Sequence, residues 1–247
     1  LELLEDTGQA GNTLVAFSSE QGWSLGFGKW NNWNLGVHTA LVARWPGRIE
    51  PGTETDALVQ IADVVPTLID AGGGDPEASG LDGSSFLSVL TGKEDAHRDY
   101  VYCMHNNVPE GKPYPIRSIF NRDFHYLWNL TPEASYHNHY AMVVYKDWGF
   151  AWWPLLKEAA ASGDAHAQAL LDKYHHRPEE ELYRVATDPF EIENLADAPE
   201  YAGVKKELRA ELERWMEAQG DPGAALDTIE VFMSRSGNSE SFRYDFD

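Results

Sequence analysis

The residues best suited to chemistry lie in Ser18-Ser19-Glu20-Gln21-Gly22. Glu20 and Gln21 set a carboxylate and an amide oxygen side by side, donors that suit a hard divalent cation such as Ca²⁺ or Mg²⁺. Two donors do not complete a metal site, so other ligands must come from elsewhere. The same composition also builds an ordinary solvated turn. Lys29 follows in a loop with Trp23, Trp30 and Trp33, and Glu20 is the other charge nearby in sequence. A lysine there can hold an anionic oxygen and steady the charge that develops on a leaving group. Indole rings beside it either stack on sugar rings or pack the loop.

Histidines form a third group: His105 beside Asn106 and Asn107, then His125, His137 and His139. Their spacing lacks the short intervals of a zinc site. His105 follows an expected strand and is a candidate substrate contact, the alternative being a structural histidine. Arg117, in Lys112-Pro113-Tyr114-Pro115-Ile116-Arg117, either binds an anion or pairs with a carboxylate. Cys103, between Tyr102 and Met104, reads as a buried, unreactive thiol. No nucleophile elbow, P-loop or dinucleotide fingerprint is present.

These residues need elements to hold them. Residues 13–17 are a continuous apolar run, the pattern of a strand buried on both faces. Ligands collect just beyond the C-terminal ends of such strands, where Glu20 and Gln21 fall. Residues 23–36 make a Trp- and Gly-rich loop, and 37–45 a second buried strand stopped by Pro46-Gly47. Residues 59–71 have helical apolar spacing with Pro66 inside, which demands a kink or a late start. Residues 1–95 therefore read as part of an α/β sheet.

Residues 96–220 read as a smaller α+β subdomain with an antiparallel sheet. Strands are expected at 99–104, at 181–185 and in a hairpin over 116–130 turning at Asn121-Arg122-Asp123. Helices are expected at 152–161, 165–174 and 201–219, the last ended by Gly220. Residues 221–247 read as an irregular tail with Tyr244 and Phe246 as anchors. Leu1-Glu2-Leu3-Leu4-Glu5-Asp6 looks like the last turns of an amphipathic helix lacking an N-cap, so the chain is expected to be a fragment or a processed half.

Composition narrows the function classes. The 19 basic and 40 acidic residues give a net charge of −21, which repels nucleic acid and anionic lipid. An anionic substrate must then meet positive charge supplied locally. Apolar residues make up 43% of the chain, with no run long enough to span a membrane. One cysteine among 247 residues rules out an internal disulfide and fixes no redox compartment.

Four ordered blocks resemble the sulfatase family of the alkaline-phosphatase-like superfamily. Asn12 to Gly22 is similar to its strand and metal loop, N-T-[LIV]-V-x-F-[ST]-S-D-[HNQ]-G. Gly28-Lys29-Trp30, then Gly36-Val37-His38-Thr39-Ala40-Leu41-Val42 to Trp45-Pro46-Gly47, is similar to G-K…G-V-R-x-P-L-I…W-P-G. Residues 59–71 resemble its D-[ILV]-x-P-T-[IL]-L helix. Glu181-Leu182-Tyr183, Asp188-Pro189 and Glu193-Asn194-Leu195-Ala196 are similar to E-L-Y-[DN]…D-P-x-E-x-x-N-L-A. Tyr114-Pro115-Ile116-Arg117-Ser118 and Trp128-Asn129-Leu130 look most like the N-sulfoglucosamine sulfohydrolase branch.

The resemblance implies the C-terminal part of an alkaline-phosphatase-like α/β/α sandwich followed by the α+β subdomain. It implies hydrolysis of sulfate esters or N-sulfate groups of sulfated, glycosaminoglycan-like sugars. Glu20 and Gln21 would be metal ligands, Ca²⁺ first and Mg²⁺ second. Lys29 would contact the sulfate or leaving group, and Trp30, His105 and Arg117 the substrate. Glu20 stands where the family usually has Asp, and His38 where many members have Arg. The family's Cys-x-[Pro/Ala]-x-Arg, whose cysteine becomes formylglycine, and its early Asp-Asp pair are absent. The nucleophile is thus expected in an N-terminal half outside this chain, which alone would be inactive. Such enzymes are often periplasmic, secreted or lysosomal. Two alternatives remain open: a phosphodiesterase or phosphonate hydrolase of the same superfamily, and a non-catalytic glycan-binding module derived from a sulfatase.

Overall fold

The computed structural model describes residues 1–108, 111–138 and 152–225. In chain order these form α1 (Glu2–Asp6), β1 (Val15–Ser18), α2 (Asn34–Val37), β2 (Leu41–Arg44), α3 (Val64–Ala71) and α4 (Leu87–Leu90). There follow β3 (Val101–His105), β4 (Ile116–Phe120), β5 (His125–Asn129), α5 (Trp152–Ala161), α6 (Ala165–His175), β6 (Glu180–Tyr183) and α7 (Ala202–Gln219). The chain divides into two compact units. One joins Leu1–Glu20 to Ala40–Val101; the other joins Gln21–Thr39 to everything from Tyr102 onward. His139, Tyr244 and Phe246 lie outside the described residues.

In the first unit, β1 and β2 pair antiparallel, with Val15 opposite Arg44 and Phe17 opposite Val42. The reading of both strands as buried on two faces is corrected here: Phe17 is 64% and Val42 62% exposed. Their continuous apolar pattern suits a sheet with layers on both sides, and these strands form a sheet of two. The second strand also starts later than expected. Backbone N–H groups of Gly36 and Val37 both donate to the Trp33 carbonyl, so the chain makes a helical turn before extending. Helix α3 takes the late start rather than the kink. Pro66 falls in its first turn, where a missing N–H costs no helix bond. Ahead of it, Gln60 and Asp63 cap each other's backbone N–H groups. Asp63 is fully buried, and its carboxylate also accepts from Arg98 and from the Ser84 N–H at 2.9 Å. Burial pushes its pKa up, but the hydrogen bonds from Arg98, Gln60 and Ser84 prevail and hold it below the usual value.

The second unit is built on a four-stranded sheet in the order β3-β4-β5-β6. The β4–β5 hairpin is antiparallel, with Ile116 opposite Asn129 and Phe120 opposite His125. Asn121 closes its turn, its side-chain oxygen accepting from the N–H groups of Asp123 and Phe124 at 3.0 and 2.7 Å. Strand β6 adds antiparallel to β5, pairing Tyr126 with Leu182. Every residue of β4 is buried, as a central strand covered on both faces requires. Helix α7 buries Leu208, Leu212 and Met216, one stripe at four-residue spacing. Gly220 ends it in the left-handed conformation at φ +64°. The core is strongly aromatic: Trp33, Tyr114, Tyr136, Trp153, Tyr174 and Tyr183 pack around Ile116 and Leu127.

Candidate functional site

The loop from Gln21 to Thr39 is a rigid construction. Gly22 donates to the Gly36 carbonyl at 3.1 Å, and a Cβ at Gly22 would lie 2.3 Å from the Leu35 carbonyl oxygen. Lys29 donates its backbone N–H to the Trp23 carbonyl at 2.7 Å. The same carbonyl oxygen would be 2.0 Å from a Cβ at Gly28, so only glycine fits beside the lysine. Asn31, buried, donates to the Gly28 carbonyl and accepts from the Trp33 N–H at 2.7 Å. Phe27 and Trp30 bracket this turn at φ +63° and +67°. Bulky aromatic residues rarely adopt that region, at a cost of about 1–3 kcal/mol each.

Three contacts within the same unit hold this loop in place. Trp33 donates its indole N–H to Glu181 at 2.9 Å, and Glu181 also accepts from Tyr183 at 2.6 Å and Asn129 at 2.8 Å. The Asn34 N–H donates to Glu191 at 2.7 Å. Glu191 has a left-handed backbone, φ +55°, and its other carboxylate oxygen meets His125 Nδ1. Tyr136 donates its hydroxyl to the Trp30 carbonyl. Lys173 caps the arrangement by donating to the Glu191 carbonyl, and burial lowers its pKa against the pull of Glu181 and Glu191.

On this frame Lys29 is half-buried, its ammonium 4.9 Å from the centroid of the Trp30 ring. Gln21 donates its amide N–H to Ser24 at 3.1 Å, which makes the other end of the amide its acceptor oxygen. Glu20 closes the first unit, exposed, just beyond β1. There Ser19 and Ala40 bind each other, Ser19 N–H to the Ala40 carbonyl at 3.1 Å and Ala40 N–H to the Ser19 hydroxyl at 3.2 Å. The Glu20 and Gln21 oxygens are the donor type a hard cation takes, but they are two donors. Among the described residues, no three His, Cys, Asp or Glu side chains gather as a metal site.

The other sequence candidates divide. Arg117 is fully buried and bound: Asp221 takes its Nε and Nη2, and Asn106 accepts from Nη1 at 2.8 Å. Of its two sequence readings, anion contact or carboxylate pairing, the structure has the second. His105 lies at the end of β3 with Nε2 unpartnered among the described residues. Burial, reinforced by the Arg177 charge, drives its pKa down to about 4, so it is neutral near pH 7. Burial likewise pushes the Cys103 thiol up to about 12, in keeping with an unreactive thiol. His125 is a buried structural group stacked on Phe120 with ring centroids 3.5 Å apart. His137 and His175 face each other at 4.5 Å, each with its Nδ1 on a backbone carbonyl.

Glu181, Glu191, Tyr136 and Arg177 received no role from sequence. The first two sit inside the E-L-Y and D-P-x-E motifs, which was their signal; Tyr136 and Arg177 carried none.

Residues 20–127 match the family described as N-sulphoglucosamine sulphohydrolase, C-terminal. An ulvan-active sulfatase of Formosa agariphila is 32% identical over 225 residues, which cover 88% of this chain and 40% of that protein. The human N-sulphoglucosamine sulphohydrolase is 27% identical over 246 residues, covering 90% and 45%. A solved protein in complex with its substrate D-glucosamine-2-N,6-O-disulfate superposes with a TM-score of 0.65 at 21% identity, over 92% of this chain and 39% of that one. This chain thus spans less than half the length of these relatives. The four ordered sequence blocks, the antiparallel subdomain and these likenesses agree: the chain belongs to the sulfatase family and corresponds to its C-terminal portion.

Proposed function

We propose that this chain is the lysine-bearing and substrate-side portion of a hydrolase that removes sulfate esters or N-sulfate groups from sulfated, glycosaminoglycan-like sugars. One observation carries the reading. Lys29 sits on a turn with two left-handed aromatic residues and no room for a Cβ, clamped by Glu181, Glu191 and Tyr136. The left-handed turns at Phe27 and Trp30 fix the backbone from which the Lys29 side chain extends, a preorganised support of the kind charge stabilisation needs. In a protein of net charge −21, Lys29 is also the local positive charge that an anionic group requires.

In this reading Lys29 binds a sulfate oxygen and stabilises the charge left on the departing oxygen or nitrogen. The Trp30 ring beside it offers a face to the sugar. Glu20 and Gln21 contribute oxygen ligands to a divalent cation, Ca²⁺ or Mg²⁺, and the remaining ligands come from outside this chain. Such a cation, when bound, supplies Lewis-acid polarisation of the sulfate oxygens. The nucleophile is a formylglycine in an N-terminal portion of the same enzyme, for Cys103 lies in the wrong sequence context. His105, neutral and half-buried, ends β3 in the subdomain. The name of the matching family and the disulfated glucosamine of the superposed protein support a sulfated amino sugar as substrate class.

The test uses the complete polypeptide that contains this chain, assayed for sulfate release from N- and O-sulfated glucosamine and for phosphate release from an aryl phosphate. The expected result is sulfate release that falls about 10²–10³-fold in kcat for Lys29→Ala, with unfolding midpoint unchanged. Preferred turnover of the phosphate ester would move the protein to the phosphodiesterase reading. Sulfated-sugar binding without turnover would leave a binding module.

A further inference from the structure

Arg177 is 2% exposed, yet none of its three guanidinium nitrogens has a hydrogen-bond partner among the described residues. Its Cζ lies 3.8 Å from the ring centroid of Trp33 and 4.1 Å from that of Tyr136. Ring contacts of this kind stabilise the charge, but they do not accept the five N–H bonds that lie in the guanidinium plane. A buried cation with unsatisfied donors is costly, and folded proteins rarely leave one so.

The neighbourhood has more donors than acceptors. Tyr114, 1% exposed with its ring centroid 5.9 Å from Arg177 Cζ, carries a hydroxyl that is also unpartnered. His105, whose neutral ring responds to the Arg177 charge, brings at most one acceptor nitrogen against the five N–H groups of Arg177. The buried carboxylate of Glu181 is already taken by Trp33, Asn129 and Tyr183. Water offers two donors with its two acceptors and would match this set poorly; an anion accepts from every side. Trp33, Tyr114 and Tyr136 are each no more than 2% exposed, so the place is sealed against an organic ligand.

We infer that Arg177 and the Tyr114 hydroxyl form a buried site for a small inorganic anion of halide size, with chloride as the natural occupant. Trp33 belongs to the same loop as Lys29, so an anion on Arg177 steadies the aromatic wall on which that loop rests. The inference stands on the Arg177 surroundings alone and does not depend on which reaction the enzyme performs.

The experiment compares thermal unfolding of the complete polypeptide in sodium chloride and in sodium gluconate at equal ionic strength. A saturable rise of about 3–6 °C is expected in chloride, as for a ligand that binds only the folded state. The chloride response should disappear in Arg177→Met and shrink in Tyr114→Phe, which keeps the ring and stands in if the first variant fails to fold. Crystals soaked in bromide should give an anomalous peak within hydrogen-bonding reach of the Arg177 guanidinium. Equal melting in both salts, an undiminished chloride response in Tyr114→Phe, or a bromide map without that peak would overturn the inference.

Discussion

Trp33 and Glu181 are joined by an indole N–H to carboxylate hydrogen bond of 2.9 Å that ties the Lys29 loop to β6, the last strand of the four-stranded sheet. The carboxylate is 1% exposed and accepts from Trp33, Asn129 and Tyr183 together. Hydrogen bonds to a buried charge contribute about 1.5–3 kcal/mol each, more than neutral ones. Glu181→Ala leaves three buried donors unsatisfied and should cost about 3–5 kcal/mol in urea unfolding. Tyr183→Phe removes one donor and should cost about 1 kcal/mol. Equal costs for the two variants would deny Glu181 its central place.

Arg117 and Asp221 form a second buried pair, joining β4 to the residue after the Gly220 cap. Removing one partner leaves the other charge buried alone, so Arg117→Met should cost about 3–5 kcal/mol, and Arg117→Met with Asp221→Leu clearly less than the sum of the single changes. The hydrogen bond from Arg117 outweighs burial and holds the Asp221 pKa below 3.8. A depressed carboxylate stabilises the fold above its unfolded pKa and loses that contribution as pH falls through the folded one. Stability should therefore hold from neutral pH to near 4 and decline below it, and Asp221→Asn should flatten that decline in acid titrations of the unfolding free energy.

His105 supplies a different pH window. Its folded pKa, lowered first by burial and then by Arg177, is about 4 against 6.5 for a free histidine. The folded state therefore resists the proton that the unfolded chain takes up. The resulting stability is complete above about 6.5 and is lost as pH falls toward 4. Ring signals of His105 followed by NMR should stay those of neutral imidazole until below about pH 5, while exposed histidines titrate near 6.5. Titration of His105 with the exposed histidines would contradict this lowered pKa.

Gly28→Ala tests the turn that presents Lys29. The new Cβ meets the Trp23 carbonyl oxygen at 2.0 Å, so the turn must open, at about 1–3 kcal/mol in stability and with a larger proportional loss of activity. Gly11→Ala meets nothing within 4 Å and serves as the control, expected within about 0.5 kcal/mol of the natural protein. Matching the two by urea unfolding and by sulfate release separates a positional effect from a general one.

Local signals carried much of the fold. The Asn121 turn, the helices α5, α6 and α7 and the Gly220 cap follow from interactions within a few residues and appear where the sequence placed them, and of the two outcomes Pro66 left open the structure has the late start. The strand ends at 101–105 and 180–183 moved by a residue or two, as ends set by pairing rather than by composition do. The burial of β1 and β2 was misread, because a continuous apolar run reports the layers a strand is built for rather than those present in 247 residues.

Residue type and order were enough to name the family, and they made Glu20, Gln21 and Lys29 the candidates for the site. The sequence could not decide between anion binding and ion pairing for Arg117, since both need the same guanidinium; Asp221, at the far end of the subdomain, decides it. Nor could it distinguish Arg177 from any surface arginine, because its burial among Trp33, Tyr114 and Tyr136 is assembled from segments far apart in the chain. Composition and periodicity record what each residue can do over a few neighbours. Which charges end up paired, sealed or strained depends on long-range packing, and that is decided only when the loop, the hairpin sheet and the C-terminal helix close on one another within the second unit.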